Sequence, residues 1–521
     1  MATFPYFVLG PNTLVSILGL MRGADTTPAK PVEDWRDATV DVVIPAFNEE
    51  ETIVLCLASV LRQTLKPRRI LLIDDGSTDR TVACATAFCD HSGVELTVIQ
   101  RRRPIGKTPT IKRQARELDC DVEFILDGDT VLQSDNYLER TVQELYKGVG
   151  IASACGTILP LRSRDRRTNE ADPSVRRFAQ AMPWRMPITR ATWLSTLLRG
   201  ITNVYREVLY LFLQRFIYHG EMAFFGTITN PVGCAVAYRR KYIKDLFDHF
   251  TPKLGDDLTN SEDVFIGFAL LNEGYRNIQL TDVYARTQEP EFTNLARQVY
   301  LWSSSFLQSC YYFDPLVRSP LRAFKRLMAR RSRVPARPDP PSRGFTIAPA
   351  RMAVSSAVPG ESRWTQQMVS VNLPLRSSAV GLAESSDVVP SPDFGRHGSG
   401  EDRRRASEPY RQAFGRKRTL EYGRPVGWLL LSAAMEKVFF PTALLIMMIL
   451  ANWEGVWVTI AVETAVSVTA LVIVAREARL QYLVKGLAVV PIRYGLLAWD
   501  LVTLGRFATD LWVTENRKWR K

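Results

Sequence analysis

Short apolar runs rich in β-branched residues constrain the fold more than any other feature of the sequence. Four of them are visible between residue 40 and about residue 282, and the first three alternate with helical stretches: Val40–Pro45, Arg69–Asp74, Glu95–Ile99 and Val122–Leu126. This alternation is typical of β-α-β units, whose strands run in parallel. The sequence therefore predicts an α/β domain with a mostly parallel sheet, and a helix over about Glu50–Leu65.

Long uncharged stretches lie near the end of the 521-residue chain. Val438–Trp453 and Val456–Ala475 approach the roughly 20 residues that a helix needs to cross a bilayer, which predicts a hairpin with its tip at Asn452–Gly455. Basic residues on both flanks place the two ends of this hairpin in the cytoplasm under the positive-inside rule. Gly486–Gly505 is interrupted by proline and charged residues, so we expect it to be interfacial or re-entrant.

Two further apolar segments each have two interpretations. Phe4–Met21 lacks the basic start and the cleavage site of a signal peptide, and it is either a membrane anchor or an interfacial segment. Trp193–Phe225 follows an arginine-rich stretch, and it is either a buried helix with a solvated face or a helix at an anionic membrane surface.

Residues 318–424 are rich in Pro, Ser and Arg and have no hydrophobic periodicity, which predicts a disordered, basic linker. The chain carries a net charge of +13, but few aromatic residues stand among the arginines of this linker. We therefore expect anionic lipid and not nucleic acid as its partner. The predicted organisation is a membrane-proximal segment 1–38, an α/β domain 39–317, the linker 318–424, and a transmembrane hairpin with an interfacial C-terminal helix in 425–521.

Two of the predicted strands end in acidic, polar turns, IPAFNEEETI (Ile44–Ile53) and ILLIDDGSTDRT (Ile70–Thr81). Ligands of open parallel sheets bind at the carboxyl ends of strands, and there Asp74 and Asp75 could hydrogen-bond a base or a ribose. Each turn taken alone is equally typical of an ordinary strand-to-helix connection with capping residues.

A third strand ends in the sequence DGD, which places Asp127 and Asp129 one residue apart. Two carboxylates at a bend can bind one hard cation, and Mg²⁺ or Mn²⁺ would connect them to a diphosphate. Lys107, which follows Gly106, offers a cation to the same phosphates. Seven cysteines without a CxxC pair and four scattered histidines argue against a structural zinc site.

A cluster of four acids precedes an amphipathic helical stretch: Asp256, Asp257, Glu262 and Asp263. These residues are either helix caps favoured by the helix dipole or carboxylates able to deprotonate a hydroxyl group.

The order of these motifs resembles that of family 2 glycosyltransferases over roughly Thr39–Phe306. The resemblance implies a Rossmann-like GT-A fold, an inverting reaction, a nucleotide-sugar donor and Mg²⁺ or Mn²⁺. It implies donor contacts from Ala46, Glu49, Asp74, Asp75, Lys107 and Asp127, metal binding by Asp127 and Asp129, and an acceptor-side Gly233. Asp263, ten residues before Gly274, matches the family's base, with Glu262 beside it. Asp257 is the alternative base, because Gly255-Asp256-Asp257 is similar to the hyaluronan-synthase form of the motif.

The segment Gln298-Val-Tyr-Leu-Trp302 is similar to the Q-x-x-R-W of membrane-bound cellulose, chitin and hyaluronan synthases. The resemblance implies that Gln298 and Trp302 contact the acceptor, with Trp302 as the floor of its site. Leu301 occupies the arginine position, which removes a cation and weakens the expectation of processive synthesis.

The resemblance implies an inverting glycosyltransferase that acts in polysaccharide synthesis with a UDP-sugar as the donor class, and the apolar hairpin with its basic flanks places it at the cytoplasmic face of the plasma or inner membrane. One alternative is a single transfer to a lipid-linked acceptor, which would not need Gln298 or Trp302. The other is a non-enzymatic membrane adaptor that uses the basic linker, and the intact acidic motifs argue against it.

Overall fold

The computed structural model describes residues 11–22, 33–148, 150–183, 192–247, 261–332, 424–476 and 478–514. Its centre is an eight-stranded sheet in the order β3-β2-β1-β4-β7-β6-β8-β5. The strands are β1 (Val40–Ala46), β2 (Arg69–Asp74), β3 (Thr97–Gln100), β4 (Val122–Leu126), β5 (Thr130–Leu132), β6 (Ile151–Pro160), β7 (Ala235–Arg239) and β8 (Arg276–Thr287).

The sheet is mixed in direction. The neighbours β3, β2, β1 and β4 pair in parallel, as the alternating apolar runs predict, and β6 pairs in parallel with β8. β7 enters between β4 and β6 and is antiparallel to both, and β5 is antiparallel to β8. The predicted α/β, Rossmann-like and mostly parallel sheet is confirmed.

Helices cover both faces of this sheet. The helices of the α/β part are α1 (Pro11–Arg22), α2 (Ile53–Leu61), α3 (Thr81–Ser92), α4 (Lys107–Glu117), α5 (Tyr137–Tyr146), α6 (Ser163–Glu170), α7 (Pro173–Ala181), α8 (Trp193–Phe212), α9 (Tyr218–Phe225), α10 (Arg240–Ile243), α11 (Glu262–Asn272), α12 (Phe292–Tyr312), α13 (Asp314–Val317) and α14 (Ser319–Ser332). A five-residue π-helical turn, Leu213–Ile217, joins α8 to α9. The C-terminal helices are α15 (Pro425–Ile449), α16 (Trp453–Val474), α17 (Arg479–Ala488) and α18 (Val490–Trp512).

Alternate residues of β1 enter different cores, because successive side chains of a strand point to opposite faces. Val42 and Ile44 pack with α2 and α3 in one core, whereas Val43 packs with α11 in the other. The helix predicted for Glu50–Leu65 is shorter than expected. It begins at Ile53, after a turn in which the Glu49 carbonyl accepts from the amide of Ile53, and the chain beyond Leu61 turns away to bond Asp135.

The apolar C-terminal stretches form helices long enough to cross a membrane. α15 and α16 are each long and apolar enough to span a bilayer, and they form the predicted hairpin. Its turn lies slightly before the predicted tip Asn452–Gly455, because Asn452 is the N-cap of α16 and residues 453–455 form the first turn of that helix. α17 and α18 are long and apolar enough to span a bilayer only when they are taken together. They are bent by 47° relative to each other, which is the geometry of a broken span or a re-entrant segment.

The remaining ambiguous segments have distinct environments. α1, within the predicted segment Phe4–Met21, packs against α9 at a close crossing of Gly19 and Gly220. α8 exposes Trp193, Leu194 and Leu197 in its first half and buries residues in its second half. The predicted linker starts with the helix α14, and its residues 333–423 lie outside the described part of the chain. Leu327–Pro390 form a second, smaller unit, of which only the start is described.

Candidate active site

A cavity with a volume of about 1090 Å³ lies where β4 and β8 end. Eight of the predicted site residues line it: Lys107, Asp127, Asp129, Gly233, Glu262, Asp263, Gln298 and Trp302. The other four, Ala46, Glu49, Asp74 and Asp75, are not among its lining residues. The cavity therefore brings together predicted site residues that are up to 195 positions apart in the chain.

The two acidic turns after β1 and β2 form one hydrogen-bonded unit. Asn48, whose φ of 58° is in the left-handed region, receives a hydrogen bond from the Thr78 amide at 2.9 Å and donates its own amide to Ser77 Oγ at 2.9 Å. Asp74 is buried and accepts from the Ser77 amide at 3.1 Å, which is the geometry of a turn cap. Ala46 accepts the amide of the residue that follows Asp74.

Asp75 fixes the loop that leads into α4. Its carboxylate accepts from the amides of Ile105 (2.9 Å) and Gly106 (2.7 Å) and pairs with Arg101 at 3.0 Å. Gly106, with φ of 95°, turns the chain so that Lys107 begins the helix at the cavity wall. Asp75 therefore determines the position of Lys107 in this structure.

The DGD turn packs tightly against Glu49. A Cβ at Gly128 would lie 3.2 Å from Glu49 Cγ and 3.3 Å from Ala46 Cβ, so glycine lets the turn approach the end of β1. Burial raises the pKa of Glu49 well above that of an ordinary carboxyl, and the nearby Asp129 carboxylate raises it further.

Asp127 and Asp129 both follow β4, and burial raises the pKa of each above its usual range. Asp129 Oδ1 accepts from the hydroxyls of Thr130 (3.0 Å) and Thr287 (3.2 Å), which orient the carboxylate. Outer hydrogen bonds of this type commonly position metal-binding carboxylates. No group of three or more His, Cys, Asp or Glu side chains with metal-binding geometry occurs in the described ranges. A pair of carboxylates nevertheless fits Mg²⁺ or Mn²⁺, which keep positions for water and substrate phosphate.

Lys107 connects the DGD turn to the start of α11. Its Nζ lies 2.7 Å from Asp127 Oδ1 and 2.7 Å from Glu262 Oε1, and it donates to the Gly233 carbonyl at 3.2 Å. Burial opposes the charge of the lysine, but the two carboxylates outweigh it and raise the pKa of Lys107. The side chain is therefore a fixed cation among the acids.

Asp263 lies in the first turn of α11 with its carboxylate beside Gly233. Oδ1 accepts from the Ser261 hydroxyl and from the Val264 amide at 2.8 Å, and Oδ2 lies 3.3 Å from the Gly233 amide nitrogen that donates to it. Burial, followed by the Glu262 carboxylate, raises the pKa of Asp263. A Cβ at position 233 would come within 2.8 Å of Asp263 Cβ, so this approach requires glycine. The alternative base, Asp257, lies outside the described residues.

Gln298 and Trp302 line the cavity from α12, and both contact an arginine that the motif analysis missed. Arg206 of α8 donates to Gln298 Oε1, and its Cζ lies 4.2 Å from the centroid of the Trp302 ring. Its ionic partner is Glu289, whose pKa burial raises to about 7. The sequence shows Arg206 only as a charged residue inside the apolar stretch Trp193–Phe225, and nothing in the sequence indicates that it contacts α12.

Comparison with protein-family models adds an independent finding. Residues 41–247 match the model described as Glycosyl transferase family 2. The chain carries a glycosyltransferase family 2 domain. The matched range includes the two acidic turns after β1 and β2, the DGD turn and Gly233, and it ends before Asp263, Gln298 and Trp302. The predicted family and enzyme class are thereby confirmed, and the sheet and its acidic strand ends give this domain the predicted GT-A fold.

Curated relatives carry glycosyltransferase names. A protein named N-acetylglucosaminyltransferase from Rhizobium leguminosarum bv. viciae is 25% identical over 287 residues, which cover 54% of this chain and 58% of the relative. A protein named undecaprenyl-phosphate 4-deoxy-4-formamido-L-arabinose transferase from Pectobacterium carotovorum is 29% identical over 156 residues, 29% of this chain and 44% of the relative. The chain thus spans less than two thirds of the length of these relatives.

Among solved structures, a mannosyltransferase from Pyrobaculum calidifontis, in complex with GDP-mannose and Mn²⁺, aligns with 16% identity and a TM-score of 0.38. The alignment covers 58% of this chain and 72% of that one.

Proposed function

We propose that this protein is a membrane-tethered inverting glycosyltransferase that transfers a sugar from a nucleotide sugar to a glycan acceptor in polysaccharide synthesis. The observation that carries the proposal is the combination of groups lining one cavity. These are a carboxylate pair with a lysine, a buried aspartate at a helix start, and a partly exposed indole ring: Asp127, Asp129, Lys107, Asp263 and Trp302.

The donor diphosphate is assigned to the end of the cavity near Lys107. Asp127 and Asp129 would hold Mg²⁺ or Mn²⁺, which supplies a positive charge to the leaving diphosphate. Lys107 already lies between two carboxylates, so it can contribute its charge to phosphate oxygens after a short movement. The two linked turns support this end of the cavity through Ala46, Glu49, Asp74 and Asp75. The proposed donor class is a UDP-sugar.

Asp263 is the proposed base. A carboxylate with a raised pKa is a stronger proton acceptor near neutral pH, and within the described residues Asp263 Oδ2 accepts one long hydrogen bond, from the Gly233 amide at 3.3 Å. Removal of the proton from an acceptor hydroxyl would let its oxygen attack the anomeric carbon as the diphosphate leaves. One displacement of this kind inverts the configuration at that carbon.

The acceptor is assigned to Gln298 and Trp302, with Gly233 at the boundary to the base. Trp302 keeps 37% of its surface exposed, which leaves room for a sugar ring to stack on the indole. The hairpin α15–α16 would hold the domain at the plasma or inner membrane, and its basic flanks favour a cytoplasmic active site. The predicted domain boundaries, which follow residues 38, 317 and 424, are part of the same proposal.

A lipid-linked acceptor is the second candidate. α12, which carries Trp302, packs against the C-terminal helix α18, and the Ser303 hydroxyl donates to Asp500 at 2.6 Å. The acceptor side of the cavity therefore adjoins helices that belong to the membrane region. Replacement of Trp302 by alanine should abolish transfer to a glycan and spare transfer to a prenyl phosphate.

The proposal is tested by incubating membranes that contain the full chain with a panel of radiolabelled nucleotide sugars. Asp129→Asn should abolish incorporation of the sugar that the wild type uses. Asp282→Asn is the matched control, because Asp282 is exposed, pairs with Arg140 at 2.9 Å and does not line the cavity. A wild-type protein that consumes no nucleotide sugar, or an Asp129→Asn variant with full activity, would contradict the proposed function.

A further inference from the structure

Arg206 is a buried arginine that belongs to none of the sequence motifs. It lies in the second half of α8, and none of its side chain is exposed to solvent. Removing a guanidinium group from water is costly unless its partners compensate for the lost hydration. The contacts of Arg206 therefore indicate what this charge does.

Three groups of the cavity wall contact this guanidinium. Nε lies 3.3 Å from Glu289 Oε2, Nη2 donates to Gln298 Oε1, and the Trp302 ring centroid lies 4.2 Å from Cζ. Glu289, Gln298 and Trp302 line the cavity, whereas Arg206 is not among the lining residues. Arg206 therefore acts on a ligand through these side chains and does not touch it.

The same contacts connect the acceptor side of the cavity to the metal-binding aspartate. Glu289 follows Gln288, whose amide donates to the Asp129 carbonyl at 3.0 Å. Thr287, one residue earlier, donates its hydroxyl to Asp129 Oδ1. Thr287 and Gln288, at and just beyond the end of β8, thus contact Asp129, and the next residue, Glu289, contacts Arg206.

We propose that Arg206 is a positioning residue for a pyranose acceptor, holding the Trp302 ring and the Gln298 amide in the orientation that binds one sugar ring. Because Gln298 Oε1 accepts from Arg206, its Nε2 is the atom that remains to donate to a sugar hydroxyl. The flat guanidinium covers one face of the indole, and the opposite face is left for the sugar. This inference rests on the proposed function, which places the acceptor beside Trp302.

The test measures equilibrium binding of a pentamer of β-linked N-acetylglucosamine to the full-length chain in detergent. Arg206→Met, Trp302→Ala and the double variant form a double-mutant cycle, and UDP with Mn²⁺ is titrated separately. We expect Arg206→Met to weaken pentamer binding at least tenfold. The double variant should bind no more than about threefold more weakly than Trp302→Ala, because Arg206 acts through the ring that is already absent.

Arg215→Met is the matched control. Arg215 lies within the π-helical turn Leu213–Ile217 and contacts Tyr284 and the Thr281 carbonyl, away from the cavity lining. This control should bind the pentamer within twofold of the wild type, and no variant should change UDP affinity by more than twofold. If Arg206→Met is not recovered as folded protein, Arg206→Lys is subject to the same tenfold criterion, since lysine lacks the planar fork.

Several outcomes would overturn the inference. They are a wild type that does not bind the pentamer, an Arg206 variant that binds it normally, losses that multiply in the double variant, and an equal loss of UDP affinity. A wild type that shows the expected coupling but consumes no nucleotide sugar would contradict the proposed function and leave the role of Arg206 intact.

Discussion

Replacing Asp263 by asparagine should separate the proposed chemistry from binding. Asparagine has nearly the same shape, and its Oδ1 can still accept from the Ser261 hydroxyl and the Val264 amide. Its amide group, however, would face the Gly233 amide, which now donates to Oδ2 across 3.3 Å. The variant therefore loses one weak hydrogen bond and the ability to accept a proton.

The expected loss of rate is far larger than the expected loss of stability. A general base typically contributes about 10²–10⁴-fold, which is roughly 3–5 kcal/mol of activation free energy at about 1.4 kcal/mol per tenfold. One unsatisfied buried donor costs about 1–3 kcal/mol of folding free energy. Asp263→Asn should therefore remain folded, bind UDP as the wild type does, and lower kcat by at least about a hundredfold.

Glu262→Gln is the matched control, because it neutralises the adjacent carboxylate. Glu262 pairs with Lys107 at 2.7 Å, so its loss should change donor affinity more than kcat. The assay is steady-state transfer from the radiolabelled donor, with UDP affinity measured by titration in the same preparation. Because the pKa of Asp263 is raised, the acidic limb of the wild-type rate profile should lie at higher pH than an ordinary aspartate would give, and Asp263→Asn should lose this contribution to the profile.

An Asp263→Asn variant that keeps more than a tenth of the wild-type kcat would refute the assignment. A larger loss in Asp257→Asn than in Asp263→Asn would transfer the role of base to Asp257.

Three further results are expected from contacts outside this carboxylate. Glu123 has no exposed surface, and burial raises its pKa to about 8. Its carboxyl thus binds a proton more tightly in the folded state than in the unfolded state. The contribution of Glu123 to the free energy of unfolding should therefore fall by about 2 kcal/mol between pH 5 and pH 7. Glu123→Gln should reduce the fall in stability by this amount, which thermal unfolding at several pH values measures. Equal slopes in both proteins would contradict the assignment. Asp500→Asn should lower the unfolding temperature, because it leaves Lys437 Nζ, which lies 2.6 Å from Asp500, without its ionic partner. Adding Lys437→Met should restore most of the lost stability, and a double variant as unstable as Asp500→Asn would argue against this pairing. Lys107→Met should weaken UDP binding at least tenfold in a nucleotide titration, whereas Lys66→Met, at an exposed lysine bonded to a backbone carbonyl, should leave it unchanged.

The sequence by itself determined the first four strands, the two long C-terminal helices and the chemistry of the strand ends. The four apolar runs became β1 to β4 with small shifts of their ends, because β-branched alternation and buried parallel pairing are local properties of each run. The acidic turns, the DGD pair and the two long apolar helices were readable for the same reason. The family resemblance also placed Gln298 and Trp302 at the site, and both line the cavity.

Only the tertiary structure decided which of these groups meet. The antiparallel insertion of β7 between β4 and β6 brings Gly233 to Lys107 and Asp263, and no periodicity of the chain encodes that neighbour. Arg206 meets Gln298 across 92 positions for the same reason. A buried charge is tolerated only where distant partners compensate it, so its role depends on the packing of α8 against α12, which local sequence does not specify.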